Sequence, residues 1–428
     1  MLPAGDERRP VVWCDGRVLT AGDVRGAAAR VASSLPAAGA ALNLCEDRYR
    51  FLLVFCAAAL RGTRLVLPPS RAPRVVAEIS AREAAAVVCD DAWVDAALGR
   101  TPADRSDDAR DSFATIAYTS GSTGEPQAHA KRLDALARCT FAKAGAFDFA
   151  VGGPTRWIVA TVPPQHLFGL EFSVLLPLLL PLAVHSGRPL LPADVVATIG
   201  SVPAPRVLVT TPLHLRVLVE SGVAMPPVER VISATAPLDR ALAARAEAAW
   251  NCRVTEAFGS TETCAIAVRE PTREPGWRPF EGVRLAPGDA STVVEAPWLE
   301  SPALLHDVLA IRADGLFAVA GRSADLVEVA GKRASIADLT RRLLDVPGVR
   351  DAVVVQLEAG APGPNRVAAL VVAPGLRPVE ILGRLRESMD PVFLPRPLVI
   401  VDAIPRSEVG KATRSRVLEL LGRHGPAP

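Results

Sequence analysis

An apolar run, Phe113 to Ala117, delivers the chain into Tyr118-Thr119-Ser120-Gly121-Ser122-Thr123-Gly124-Glu125-Pro126. The run reads as a strand, and a strand that empties into a loop of glycines and hydroxyls suits the binding of an anion. Gly121 and Gly124 let the backbone turn so that successive N–H groups converge, and the hydroxyls of Thr119, Ser120, Ser122 and Thr123 add donors without charge. The G-x-x-x-x-G-K-[ST] spacing is absent, so this is not a Walker A loop. By itself the segment is also compatible with a polar turn. The segments around it decide the matter.

Short β-branched runs alternate with alanine-rich helical stretches. Leu19 to Leu35 and Arg48 to Leu60 have helical apolar spacing, with Arg64 to Leu67 and Ala85 to Val88 as strands. Trp157 to Val162, Arg206 to Val209 and Arg230 to Ser233 are further strands, each leading into a motif or a helix. Strand then helix, repeated, implies an α/β chain with parallel sheet and crossover helices, whose ligands bind where strands end in loops. Near Arg322 the pattern changes to a compact module of strands and helices of about 100 residues, a normal domain size. The spacing therefore predicts a large N-terminal domain of mixed and parallel sheets with flanking helices, residues 1–321, and a small α+β domain, residues 322–428.

With 428 residues, half of them hydrophobic, the chain is long enough for two cores. A net charge of +2 gives no ground for a nucleic-acid partner. The seven cysteines include no C-x-x-C pair and read as reduced cytoplasmic thiols rather than as a metal site. The N-terminus lacks the apolar core of a secretory signal. The most apolar stretch, Leu167 to Val184, is broken by Glu171, Pro177 and Pro181 and predicts a buried helix followed by a loop, not a membrane span.

Thr119 to Pro126 resembles the phosphate loop of the adenylate-forming superfamily of acyl-CoA synthetases, aryl-CoA ligases and peptide-synthetase adenylation domains. That family's other motifs follow in order. Val162-Pro163-Pro164-Gln165-His166-Leu167-Phe168-Gly169 resembles P-x-x-H-x-x-G, Ser233 to Leu238 resembles S-G-A-x-P-L, and Ala257-Phe258-Gly259-Ser260-Thr261-Glu262 resembles Y-G-x-T-E. Gly321-Arg322-Ser323-Ala324-Asp325 with Gly331-Lys332-Arg333 resembles the hinge, and Pro405-Arg406-Ser407-Glu408-Val409-Gly410-Lys411 the closing P-R-x-x-x-G-K. The resemblance runs from about Ala21 to Leu421.

It implies ATP and Mg²⁺ as cofactors and a carboxylic acid as substrate. Thr119, Ser120, Gly121, Ser122, Thr123 and Gly124 would hold the β- and γ-phosphates, Thr261 the α-phosphate, and Glu262 the Mg²⁺. Phe258 beside Gly259 would stack on adenine against Thr235, Ala236 and Pro237. Asp307 would accept the ribose hydroxyls, and Arg322 would contact ribose or phosphate. His166 would open the acid pocket. Lys411 would bridge carboxylate and α-phosphate in the transition state, carried by a mobile domain hinged near Ala324.

The chain departs from the family pattern in places. The usual P-K-G is Pro126-Gln127-Ala128, with Lys131 a candidate replacement on the phosphates. The usual glycine of S-G-A is Ala234, the T-G before Asp307 is Leu305-His306, and the hinge Asp or Lys is Ala324. The compact region from Leu42 to Pro69 resembles a bacterial subgroup of aryl-polyene and xanthomonadin-type pathways. The expected activity is adenylation of an aryl (hydroxybenzoate-like) or fatty acid and its transfer to an acyl carrier protein. Free CoA as acceptor and a non-catalytic nucleotide- or acid-binding relative are the alternatives.

Overall fold

The computed structural model describes residues 3–36, 39–69, 71–100, 114–119, 127–149, 153–289, 291–322, 326–329, 332–357, 366–387, 389–406, 410 and 412–424. Contacts group it into two compact units, Met1–Arg284 with Glu295–Ala303, and Leu285–Val294 with Leu304–Pro428. The hairpin that ends at Arg322 thus groups with the residues after it.

The first unit holds two sheets. One runs in the order Glu274–Pro279, Cys264–Glu270, Arg253–Ser260, Arg230–Ser233, Arg206–Thr210, Arg156–Ala160, Leu182–His185, Pro10–Cys14, Arg17–Thr20. Its centre, from Arg253–Ser260 to Pro10–Cys14, is parallel, and antiparallel hairpins finish both sides. The other is five-stranded, ordered Ala85–Cys89, Ala40–Asn43, Arg64–Leu67, Ala114–Thr119, Gln127–Arg132, and only its last pair is antiparallel. Parallel neighbours need crossovers, and helices supply them.

Helix Arg48–Arg61 starts at Asp47, whose carboxylate accepts from the Arg50 N–H, and stops at Gly62, which is left-handed at φ 72°. Every residue from Phe51 to Leu60 is buried, so the helix is apolar on all sides, as a helix packed round its circumference must be. At its first turn Arg48, fully buried, donates to the Ser173 hydroxyl (2.9 Å) and to the carbonyls of Gly187 (3.0 Å) and Val162 (2.6 Å). One guanidinium thereby holds the helix to the loops that follow two strands of the large sheet.

In the second unit, strands Asp351–Leu357, Arg366–Val372 and Leu398–Ile400 form a sheet with apolar residues on both faces. Val354, Val367, Ala369 and Val371 pack with Leu339, Leu343, Ile381 and Leu385 of two helices. The alternate residues Val355, Ala368 and Leu370 pack with Val417 and Leu421 of the last helix.

Strands Arg64–Leu67 and Arg230–Ser233 lie where the sequence put them. The stretch from Leu167 is a helix, a π-helical turn at Glu171–Leu175 and a further helical turn, but it ends in strand Leu182–His185 and not in a loop, because Val184 finds parallel partners in Val12 and Ile158. The hairpin Pro10–Cys14/Arg17–Thr20 was not expected. Among the described residues no helix is long and apolar enough to cross a membrane.

Two substitutions test the packing. Arg48→Met removes the donors to two loops and the π-helical turn and leaves their acceptors buried, and it should lower the free energy of unfolding by about 2–4 kcal/mol in urea titrations. A Cβ on Gly259 would lie 2.0 Å from the Cys264 carbonyl oxygen. Gly259→Ala should therefore open the turn between strands Arg253–Ser260 and Cys264–Glu270 and cost about 1–3 kcal/mol in the same assay.

Candidate active site

Three of the motif segments leave the large sheet at the C-terminal ends of parallel strands, where such folds place ligands. Thr161 to Gly169 follow strand Arg156–Ala160, Ala234 to Leu238 follow Arg230–Ser233, and Phe258 to Glu262 close Arg253–Ser260. The neighbouring ends are tied by Thr161 Oγ1 and Thr210 Oγ1 at 2.9 Å. Thr235 has φ 82°, a left-handed conformation that a β-branched residue rarely takes. Ala236 and Pro237 beside it are exposed, as a surface for a flat ring requires. The family's glycine is at position 234, whereas the strained backbone here is at 235, so Ala234 is tolerated.

Glu262 sits in a turn whose shape is over-determined. The Thr263 hydroxyl accepts from the Ser260 N–H (3.0 Å) and donates to the Cys264 carbonyl (2.8 Å), while the Trp298 indole donates to the Thr263 carbonyl (2.8 Å). From the adjoining five-stranded sheet, strand Gln127–Arg132 presents alternate residues to this turn. Lys131 Nζ donates to the Glu262 carbonyl at 2.5 Å, and His129 Nε2 lies 3.7 Å from Glu262 Oε1. Burial works to raise the Glu262 carboxyl, but the Ser260 hydroxyl, a backbone hydrogen bond and the charges of His129 and Lys131 outweigh it and hold the pKa below the usual range. Burial pushes the His129 imidazole below its ordinary value against the pull of Glu262. An ionised, half-buried carboxylate beside a strand end is a hard oxygen donor, and it fits Mg²⁺.

Two buried networks brace these segments, and sequence reasoning missed both. Glu256 accepts from the Leu238 N–H (2.9 Å) and from Arg269 (2.6 Å). Arg269 lies over the Trp277 ring at 4.5 Å, and Trp277 meets Phe258 at 5.1 Å. The expected adenine-stacking ring and the segment it would face are thus held by one carboxylate and one guanidinium. Behind them Lys143, fully buried, pairs with Glu171 at 2.7 Å and with Cys139 Sγ at 2.9 Å. Glu171 also accepts from the Ala265 N–H (3.3 Å). Cys139, Glu171 and Cys264 are close enough to share an ion, yet the Lys143 ammonium already supplies the positive charge there. Glu171 alone left a signal, as a charge inside an apolar run.

His166 stands at the N-cap position of helix Leu167–Leu170 without a side-chain cap bond, and Gly169 allows that helix to approach the Pro163 carbonyl, from which a Cβ would stand only 2.0 Å. The Gln165 side-chain oxygen and the Ser233 hydroxyl are buried with no hydrogen-bond partner among the described residues. Asp307 belongs to the second unit. It is buried, and its backbone pairs directly with Arg322 across the hairpin Asp307–Ile311/Phe317–Arg322, which brings together the two residues that the resemblance assigns to ribose. In the same unit Arg406 donates twice to Asp351 (2.6 and 3.0 Å) and once to the Gly410 carbonyl (3.0 Å), tying Gly410 to the strand that begins at Asp351. Ser120 to Gly124, Ala324 and Lys411 lie outside the described residues, as does the side chain of Thr119.

Comparison with known proteins identifies the family. The AMP-binding enzyme family model matches residues 68–296, and that of the AMP-binding enzyme C-terminal domain matches residues 341–411. The chain is 28% identical over 331 residues to a probable 2-succinylbenzoate–CoA ligase of Mycobacterium tuberculosis, covering 72% of this chain and 84% of that one. It is 32% identical over 233 residues to a 4-coumarate–CoA ligase of Halorhodospira halophila, covering 53% and 55%. In fold it is similar to ATP-bound MatB from Rhodopseudomonas palustris (TM-score 0.81, 18% identity, 98% and 97% covered). It is also similar to the O-succinylbenzoate coenzyme A synthetase of Bacillus subtilis in complex with ATP and magnesium ion (TM-score 0.80, 18% identity, 96% and 97% covered). The first family model alone spans more than half of the sequence, and the chain belongs to the AMP-binding enzymes, the adenylate-forming ligases that use ATP with Mg²⁺ to join carboxylic acids to thiols.

Proposed function

We propose that this enzyme adenylates an aromatic carboxylic acid and passes the acyl group to a phosphopantetheine thiol. The observation that carries the reading is the convergence of the strained Thr235 segment, Phe258 and the ionised Glu262 at neighbouring strand ends of one sheet.

A carboxylate is a poor electrophile because its leaving group would be oxide. In the first half-reaction its oxygen attacks the α-phosphorus of ATP, pyrophosphate departs, and an acyl-adenylate remains. In the second a thiol sulfur attacks the acyl carbon and AMP departs. The protein's part is positioning and charge stabilisation. Phe258 and Thr235 to Pro237 orient the base, Thr119 to Gly124 and Thr261 take the phosphates, and Glu262 holds the cation that neutralises them when bound. Asp307 and Arg322 take the ribose side, and His166 opens the acid pocket. Lys411, on a flexible stem, bridges the two reacting anions. Residues 322–428, turning about Ala324, then withdraw it and admit the thiol.

CoA is the first acceptor to test, since two relatives of this chain are named as CoA ligases, a probable 2-succinylbenzoate–CoA ligase and a 4-coumarate–CoA ligase. A carrier-protein phosphopantetheine is the second reading, supported by the compact region from Leu42 to Pro69. The class of acid follows the names of the same relatives, each named for an acid that carries an aromatic ring.

Pyrophosphate release with ATP and Mg²⁺ across benzoates, cinnamates and medium-chain fatty acids should select one aromatic class. Lys411→Ala should lose about 10²- to 10³-fold in that rate, and silence of the wild type with every acid would sink the reading. With the selected acid, thioester formation on CoA and on a holo carrier protein, measured side by side by mass spectrometry, should differ by at least about tenfold in kcat/KM, a gap of about 1.4 kcal/mol in transition-state binding.

A further inference from the structure

The family's loop lysine is Gln127 here, and the structure shows what the strand after the loop offers instead. Side chains alternate along a strand, so His129 and Lys131 share a face, and both reach the Ser260–Cys264 turn. Lys131 is engaged by the backbone of the turn. It is only 9% exposed, and its ammonium is bound to the Glu262 carbonyl. His129 is the residue that reaches the Glu262 carboxylate itself.

We propose that His129 is a second protein ligand of the divalent cation held by Glu262, giving this enzyme a nitrogen donor in its cation shell and a preference for Mn²⁺ over Mg²⁺. The inference rests on the reading that Glu262 holds the cation. Donors at about 2.1 Å from a metal occupy adjacent octahedral positions about 3.0 Å apart. His129 Nε2 and Glu262 Oε1 are 3.7 Å apart, so less than an ångström of side-chain movement brings both onto one ion. Each also stands on a rigid support. His129 is on a strand paired residue for residue with Ala114–Thr119, and Glu262 is in the turn fixed by Ser260, Thr263 and Trp298. Mg²⁺ takes oxygen almost exclusively and dehydrates reluctantly, whereas Mn²⁺ accepts imidazole, so adding one ring nitrogen shifts the preference in a fixed direction.

The test uses the full-length enzyme with α,β-methylene-ATP and Mn²⁺, read by pulsed electron paramagnetic resonance. The wild type should show nitrogen modulation from a directly bound imidazole, converted to the ¹⁵N pattern when the protein is labelled with ¹⁵N-histidine, which needs no mutation. His129→Gln should abolish the modulation and raise the Mn²⁺ dissociation constant of the nucleotide complex by about tenfold, with that for Mg²⁺ moving less than about twofold. Bound nucleotide and Mn²⁺ without nitrogen modulation overturn the assignment of His129 and leave it as an ion-pair partner of Glu262. Absence of nucleotide binding by calorimetry, or Mn²⁺ affinity indifferent to Glu262→Gln, overturns the underlying reading and the inference with it.

Discussion

A buried carboxylate, Glu171, is the point on which the site-bearing elements depend. It receives Lys143 from helix Leu133–Ala146, the backbone of Ala265 from the strand after the Glu262 turn, and the Cys139 thiol, all while lying in the π-helical turn that follows His166. An unpaired charge at such depth costs several kcal/mol, so neither partner is dispensable once the other is present. The pair does not explain why the fold is stable, because apolar residues of the same volume would serve as well. It explains why three elements have one relative arrangement, since sliding any of them strands a charge. Helices can slip against each other by small steps, and a hydrogen-bonded ion pair allows far less freedom.

The ordered motifs are legible in the sequence because each is local: a strand end, a turn and a few side chains within eight residues. What supports them is not local. Glu256 and Arg269 are brought together only by the antiparallel pairing of two strands, and Lys143 meets Glu171 only after a helix packs on a π turn. No periodicity announces such pairs. The hairpin Pro10–Cys14/Arg17–Thr20 was missed for a similar reason, its strands being too short to show alternation. Strand Leu182–His185 was hidden because a leucine-rich helix runs into it without a change of composition.

The departures from the family pattern separate into two kinds. At Ala234 the structure supplies its own reason for tolerance, because the left-handed residue is Thr235, one position later, held in a state that costs about 1–3 kcal/mol and persists because its neighbours leave no alternative. At Gln127 and Ala128 the described residues supply no such reason. The strand continues instead, and its next inward residues carry an imidazole and an ammonium to the Glu262 turn.

The anchoring of Arg406 to Asp351 and to the Gly410 carbonyl has a mechanical consequence. Asp351 begins the first strand of the small unit's own sheet, so one guanidinium ties Arg406 and the Gly410 carbonyl to that sheet. Both points then move with the sheet and without the nanosecond freedom of an isolated loop.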